Sequence, residues 1–286
     1  MCERNGARFA VWFAIGVVAS LAVAAQGAAL TNGTFESLSA DPDATGNTAT
    51  FTGWSEQKTT SDSTLQNAAK TNGVGGGLTT SPNGNATGNG AVIIPGGGIL
   101  VQNQNTASTW QFDVDFAMVD PGDSSTRGLN VFLWHDTSAL KGINLRVNGD
   151  GTVQVFTTTW VTLSSLTGKV SFSTDANSDG LLNTSGGSGD TVAVNHLTIT
   201  GNYTGSPTYS VSVTNASGST FTQTGISSFN NNYAPSAGGM LKKYAFVGSY
   251  SGLYVVDNAA IPEPATLSLL GIGGLLWTLR RRRGAC

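Results

Sequence analysis

WQFDVDFAM, residues 110–118, places Trp110, Phe112, Val114, Phe116 and Met118 on one phase and Gln111, Asp113, Asp115 and Ala117 on the other. Side chains along a strand alternate between its faces, so this period of two reads as a half-buried β-strand. INLRVNGDGTVQV, residues 143–155, repeats the pattern: Ile143, Leu145 and Val147 alternate with Asn144 and Arg146, and Val153 and Val155 follow. Between the two runs stands Asn148-Gly149-Asp150-Gly151. Asn-Gly and Asp-Gly supply the positive φ angles of a tight turn, so the segment is a β-hairpin. Tyr209, Val211 and Val213, the turn Asn215-Ala216-Ser217-Gly218 and a return through Phe221 make a second one.

LNVFLWH (129–135) and VAVNHLTIT (192–200) are denser, with apolar residues on both faces, as strands deep in a sandwich require. In the second, Val192 and Val194 share one phase and Leu197 and Ile199 the other, and a bulge near Asn195-His196 would reconcile them. YAFVGSY (244–250) and LYVVDN (253–258) close the body, which is expected to end at Asn258. Residues 55–91 are rich in Gly, Asn, Thr and Ser and read as a long loop. No window outside the terminal segments has a helical period. Many short strands joined by Gly/Asn turns predict an all-β, antiparallel jelly-roll β-sandwich over residues 30–258, its 30–91 part loop-rich.

The two ends differ from this body. Arg4 and Arg8 precede the uncharged FAVWFAIGVVASLAVAA (9–25), and small residues follow at Ala24, Ala25, Gly27, Ala28 and Ala29. That is the pattern of a secretory signal peptide, residues 1–29, cut between 25 and 29. Cys2 precedes the apolar run, which is not where a lipoprotein cysteine stands. At the other end, a linker (259–264) holds Pro262-Glu263-Pro264. The uncharged ATLSLLGIGGLLWTL (265–279) and Arg280, Arg281, Arg282 and Arg283 follow. A helix apolar on all sides must be buried in protein or lipid. Fifteen residues reach about 22 Å, short of the ~30 Å hydrocarbon core, so spanning needs a thinned bilayer or snorkelling arginines. The arginines stay cytoplasmic, which puts everything before Pro262 outside.

The Pro-Glu-Pro triplet, the Leu/Gly-rich run and the terminal arginines together resemble the bacterial PEP-CTERM sorting signal, over about 22 of the 286 residues. The resemblance implies processing by an exosortase-type sorting protease near Pro262–Pro264, after transient anchoring in the inner membrane. The host it implies is a Gram-negative bacterium that makes exopolysaccharide. NGTFE with the GW of Gly53-Trp54 resembles the opening of galactose-binding-like jelly rolls. INLRVNGDGTVQVF followed by Trp160, and VNHLTI followed by YSVSV, resemble concanavalin A-like, laminin-G-type jelly rolls across about residues 92–258.

Composition agrees with export. Residues 30–261 hold eight basic and fifteen acidic residues, an excess of seven negative charges. Nucleic acid needs a basic footprint and is excluded. The only cysteines are Cys2 and Cys286, so the body has no disulfide and depends on its core, for which some 230 residues suffice.

Chemistry-bearing motifs are few. Asp175, Asn177, Asp179, Gly180 and Asn183 match D-x-N-x-D-G-x-x-N, the opening of an EF-hand or dockerin-type calcium loop. Oxygen side chains at positions 1, 3 and 5 wrap a hard cation, with the Leu181 carbonyl at position 7. Position twelve is Gly186 rather than a bidentate carboxylate, with Asp190 as a substitute from outside the motif. The same residues also make an ordinary turn, because turns demand Asn, Asp and Gly. The plain turn is the favoured reading, so no cofactor is expected, with calcium at this loop as the alternative.

Sandwich glycosidases need paired acids, typically glutamates. The body has only Glu36 and Glu56, both near its start and outside any clear strand. Asp113 and Asp115 share a strand phase, but two aspartates on a solvated face are the plainer reading. His135-Asp136 and His196 are the only imidazole options for a triad, with no G-x-S-x-G elbow beside them. The chain is therefore read as no enzyme. Trp54, Trp134, Trp160, Tyr203 and Tyr233 are the candidates for stacking on sugar rings. Two functions remain: a structural or adhesive protein of an exopolysaccharide or biofilm matrix, and, as the alternative, a lectin-like, glycan-binding module, with or without calcium.

Overall fold

The computed structural model describes residues 30, 53–58, 70–71, 92–93, 98–119, 128–135, 141–176, 178, 182, 189–230, 235–236, 238–248 and 253–261. Fourteen strands run through them: β1 (Ser55–Lys58), β2 (Lys70–Thr71), β3 (Val92–Ile93), β4 (Gly98–Asn103), β5 (Thr109–Met118), β6 (Gly128–Trp134), β7 (Gly142–Asn148), β8 (Val153–Phe156), β9 (Trp160–Thr162), β10 (Asn195–Asn202), β11 (Thr208–Thr214), β12 (Thr220–Ile226), β13 (Lys243–Gly248) and β14 (Tyr254–Ala260). They form two seven-stranded sheets, ordered β1-β4-β13-β6-β7-β8-β9 and β12-β11-β10-β5-β14-β3-β2. All strand pairings are antiparallel. The architecture is the jelly-roll sandwich that the alternation predicts. A 3-10 turn lies at Ser164–Leu166.

Both hairpins form, with one loop geometry used twice. In the β7–β8 turn Gly151 donates its N–H to the Asn148 carbonyl (3.0 Å), and in the β11–β12 turn Gly218 donates to Asn215 (2.8 Å). Positive φ is needed at the last glycine of each, 77° at Gly151 and 80° at Gly218, and not at Gly149. The turn is therefore a three-residue loop closed by a left-handed glycine rather than a two-residue one.

The main core lies between the sheets. Phe112 of β5 stacks on Tyr244 of β13 (centroids 5.8 Å) and meets Phe246 at 6.1 Å, while Trp54 covers Phe246 at 5.6 Å. Val114 and Phe116 of β5 and Leu197 and Ile199 of β10 face Leu129, Val131, Leu133, Ile143, Leu145 and Val147 of β6 and β7. The outward faces are covered as well. Ala117, Leu182, Val194 and Val255 form a second cluster outside the β5 sheet, and Val101, Trp134 and Ala245 a third outside the β6 sheet.

The structure revises four further readings. β5 is buried on both faces from Phe112 to Met118 rather than half-buried. Asn195–Asn202 pairs with β5 without a register break, so no bulge lies at Asn195-His196. The phase change arises because Val194 packs into the outer cluster while Leu197 and Ile199 pack into the main core. The 55–91 stretch supplies β1 and β2, which pair on one side only and so show no apolar alternation, and Glu56 stands in β1 opposite Leu100. At the C-terminal end, β14 bulges between Asp257 and Ala260, with Asn258 at φ 52°, and continues past Asn258 until Ile261 is buried in the core.

Trp110 faces Gly201 across the β5–β10 pair, and a Cβ at Gly201 would strike the indole ring. Gly201→Ala is expected to displace Trp110 from its edge-on contact with Tyr203 (5.6 Å) and to cost about 1–3 kcal/mol. Gly205, with open space around it, is the control. Urea midpoints should fall for the first variant and hold for the second.

Candidate functional site

The outward face of the β5 sheet carries a buried polar cluster. Asp113 and Asp115 project from β5, and His196 and Thr198 lie opposite them on β10. His196 Nδ1 is 2.7 Å from Asp115 Oδ1 and its Nε2 is 3.3 Å from Asp113 Oδ1. Thr198 Oγ1 donates to Asp113 Oδ1 (2.7 Å), Gln111 Nε2 to Asp113 Oδ2 (2.7 Å) and Asn258 Nδ2 to Asp115 Oδ2 (2.8 Å). All four carboxylate oxygens are engaged. The face is not solvated, since Asp115 is fully buried and Asp113 is 9 % exposed.

Burial alone would push the His196 pKa down. Hydrogen bonds to Asp113 and Asp115 and the charges of both carboxylates outweigh it, and the value rises from 6.5 to about 9. An imidazolium donates from both nitrogens, which is the form two flanking acceptors require. The arrangement holds a buried cation between two anions. It presents no free base or acid to a substrate.

His135 lies elsewhere, at the end of β6. Burial lowers its pKa to about 4, against the raising effect of the Lys141 carbonyl that accepts from Nδ1 at 3.3 Å. It packs on Tyr203 (5.1 Å) and Phe229 (6.0 Å) and is a neutral core histidine. Asp136 and Glu36 lie outside the described residues.

Of the aromatic candidates, Trp54, Trp134 and Tyr203 are buried, and Tyr233 is outside the described residues. Trp134 donates its indole N–H to Asn144 Oδ1 (2.9 Å) and has Lys243 Nζ 5.0 Å from its ring centroid. Trp160 on the edge strand β9 is half-buried, with Phe156 5.2 Å away and the Arg146 guanidinium 4.0 Å from its ring centroid. Arg146 Nη2 donates to Gln154 Oε1 (2.9 Å).

In the calcium-type loop, Asn177, Asp179, Leu181 and Asn183 lie outside the described residues. Asp175 and Asp190 are described. Asp190 Oδ1 accepts from the Ala176 N–H at 3.0 Å, and the Thr174–Thr191 bridge closes the loop's base. The fold thus brings Asp190 back to the start of the motif. Among the described residues no group of three His, Cys, Asp or Glu side chains is placed to hold a metal ion. Pro262–Pro264 and Arg280–Arg283 are likewise outside the described residues.

Asp113, Asp115 and His196 each stood out in the sequence, but nothing there joined them. The missed members are Gln111, Thr198 and Asn258. For Gln111 and Thr198 the signal was polar residues on a single phase of β5 and β10, while Asn258 comes from the bulge of a third strand, β14, and had no periodic signal.

The two sheets and the face just described define an all-β jelly roll, and comparison with known proteins adds its address. The PEP-CTERM protein-sorting motif matches residues 260–283, so the chain carries that signal, the mark of an exported protein. No curated protein matches it in sequence. Among solved structures, the carbohydrate recognition domain of Emp47p is similar over 83% of this chain and 97% of its own, at 11% identity and TM-score 0.39. The carbohydrate-binding module CBM66 from Bacillus subtilis is similar over 67% and 93%, at 10% identity and TM-score 0.32. The PL-14 alginate lyase from Aplysia kurodai is similar over 61% and 83%, at 9% identity and TM-score 0.36. At these scores none bears on what this chain binds or does.

His196→Ala leaves two carboxylates buried without their cation and is expected to cost about 3–5 kcal/mol in chemical denaturation. Folding raises this pKa above 6.5, so the histidine's contribution is whole below pH 6.5 and is lost as pH climbs through about 9. Wild-type stability should therefore fall across that window, and the His196→Gln profile should lack the fall.

Proposed function

We propose that this chain is an exported protein of the cell surface or extracellular matrix, its sandwich a displayed structural or adhesive body in an exopolysaccharide or biofilm matrix. The sorting motif at residues 260–283 carries the reading. In it the N-terminal apolar segment directs export and the C-terminal run anchors the chain in the inner membrane, arginines inward. An exosortase-type protease then releases the body near Pro262–Pro264. The body is read as non-enzymatic, because its best acid pair is locked by His196, Thr198, Gln111 and Asn258.

Replacing Arg280–Arg283 with glutamine should remove the charge that holds the tail inward and reduce inner-membrane retention. Fractionation of the native host checks this, and unchanged distribution would count against the topology. Intact mass of the released protein should show both terminal segments gone.

A second reading is glycan binding, supported by Trp160, Phe156, Arg146 and Gln154 on the outward face at the β9 edge. An aromatic ring beside amide and guanidinium donors matches the apolar face and hydroxyl rim of a sugar. Trp160→Ala should lose at least tenfold in affinity for any polysaccharide the purified protein retains in affinity electrophoresis. Calcium enters this reading only through the 175–190 loop, and a chelator should then lower retention without changing the Trp160 dependence.

A further inference from the structure

β14 runs antiparallel to β5, from Tyr254 opposite Met118 to Ala260 opposite Asp113. The chain therefore leaves the body toward the end where β5 begins at Thr109. That end is also where β10 finishes at Asn202, opposite Thr109. The two sheets meet there: Tyr203 donates its N–H to the Ser108 carbonyl (2.9 Å), and His135, just past β6, packs on Tyr203 at 5.1 Å. Lys141 leads into β7 and Lys242 into β13 at the same end, tied there by His135 N–H to the Lys141 carbonyl and Lys242 N–H to the Trp134 carbonyl, both 2.7 Å.

The tether is too short to hold this end away from a membrane. Ile261 is 5 % exposed and packs in the main core. Only Pro262, Glu263 and Pro264 separate it from the uncharged run that starts at Ala265. From the level of Asp113 to that of Thr109, four residues remain along β5, about 14 Å of sheet. Residues 261–264, fully extended, cover at most ~14 Å. The apolar run thus begins no further out than the end of the sandwich, and the headgroup layer is about 5–7 Å thick.

We infer that the Thr109/Asn202 end of the sandwich, with Lys141, Lys242 and Met240, is a membrane-facing surface that rests on anionic lipid headgroups while the C-terminal run is inserted. The inference rests on the anchoring proposed above. The surface has the matching chemistry. Lys141 and Lys242 are exposed, and Met240 is 39 % exposed, one of two exposed large apolar side chains among the described residues. The 203–206 segment beside them presents only uncharged Thr204, Gly205 and Ser206 to solvent. Among the described residues named at this end the charged ones, Lys141 and Lys242, are both basic, in a body with an excess of seven negative charges. A cavity of about 250 Å³ lined by His135, Met240 and Lys242, among others, lies at the same end. Lysine ammonium groups are attracted to the phosphates of an anionic lipid surface, and the attraction fades within a Debye length. The turn at Asn215–Gly218, at the far end of β11, faces away.

The test uses the full chain, with Cys2 and Cys286 replaced by serine, reconstituted in phosphatidylcholine vesicles with and without phosphatidylglycerol. A fluorophore is placed at Met240→Cys or, separately, at Ala216→Cys, both exposed sites. A headgroup-attached quencher should quench the probe at 240 severalfold more than that at 216, more strongly with phosphatidylglycerol. Lys141→Glu with Lys242→Glu should remove the lipid dependence. Equal quenching at the two sites, in a chain that still floats with the vesicles, overturns this inference and leaves the anchor standing. A chain that does not float overturns the anchoring and the inference together.

Discussion

A strand buried on both faces cannot carry ionised carboxylates unless an opposite charge is buried beside them. β5 is in that position. Its inward residues Phe112, Val114 and Phe116 fill the sandwich, and its outward Asp113 and Asp115 lie beneath the covering chain. His196 supplies the charge from β10 and Asn258 supplies a donor from β14, so one polar cluster spans three adjacent strands. A slip of β10 by one residue would turn His196 into the core and leave both aspartates bare. The cluster that is costly to desolvate therefore selects the register. With every carboxylate oxygen occupied, the cluster ties β5, β10 and β14 together.

What the sequence revealed follows the range of the interactions. The two hairpins were legible because Asn148-Gly149-Asp150-Gly151 and Asn215-Ala216-Ser217-Gly218 act within one turn. β5 was legible as a strand from its own alternation. The covering of its second face was not, because Val194, Leu182 and Val255 come from distant parts of the chain. The same limit hid the site. Asp113 and His196 are 83 positions apart, and only the pairing of β5 with β10 brings them together. Short edge strands such as β1 and β2 give no periodic signal, since neither length nor two-sided packing imposes one. Trp54, Trp134 and Tyr203 could not be sorted from the half-buried Trp160 by type, because burial depends on packing partners from distant strands.

Without a disulfide, the body depends on how completely its sheets close over each other. Three clusters, one between the sheets and one on each outward face, bury the apolar groups of strands that would otherwise face water. Arg146 over Trp160 and Lys243 beside Trp134 extend that cover with side chains whose stems are apolar and whose heads stay polar.

The last strand links this fold to its address. β14 is not an edge: it joins β5 to β3, and without it the sheet would divide into β12-β11-β10-β5 and β3-β2. It also supplies Asn258 to the polar cluster and Ile261 to the core. A sheet whose central strand comes last cannot close until that strand arrives, because the loop-closing entropy of all earlier pairings must be met first. Under the proposed topology, β14 is the last strand of the body to cross the membrane, with residues 261–264 between it and the anchoring run. Closure of the sandwich and arrest of the chain at the bilayer are then nearly one event. The sorting motif itself starts at residue 260, inside β14, so the segment that addresses the protein begins in the segment that completes its fold.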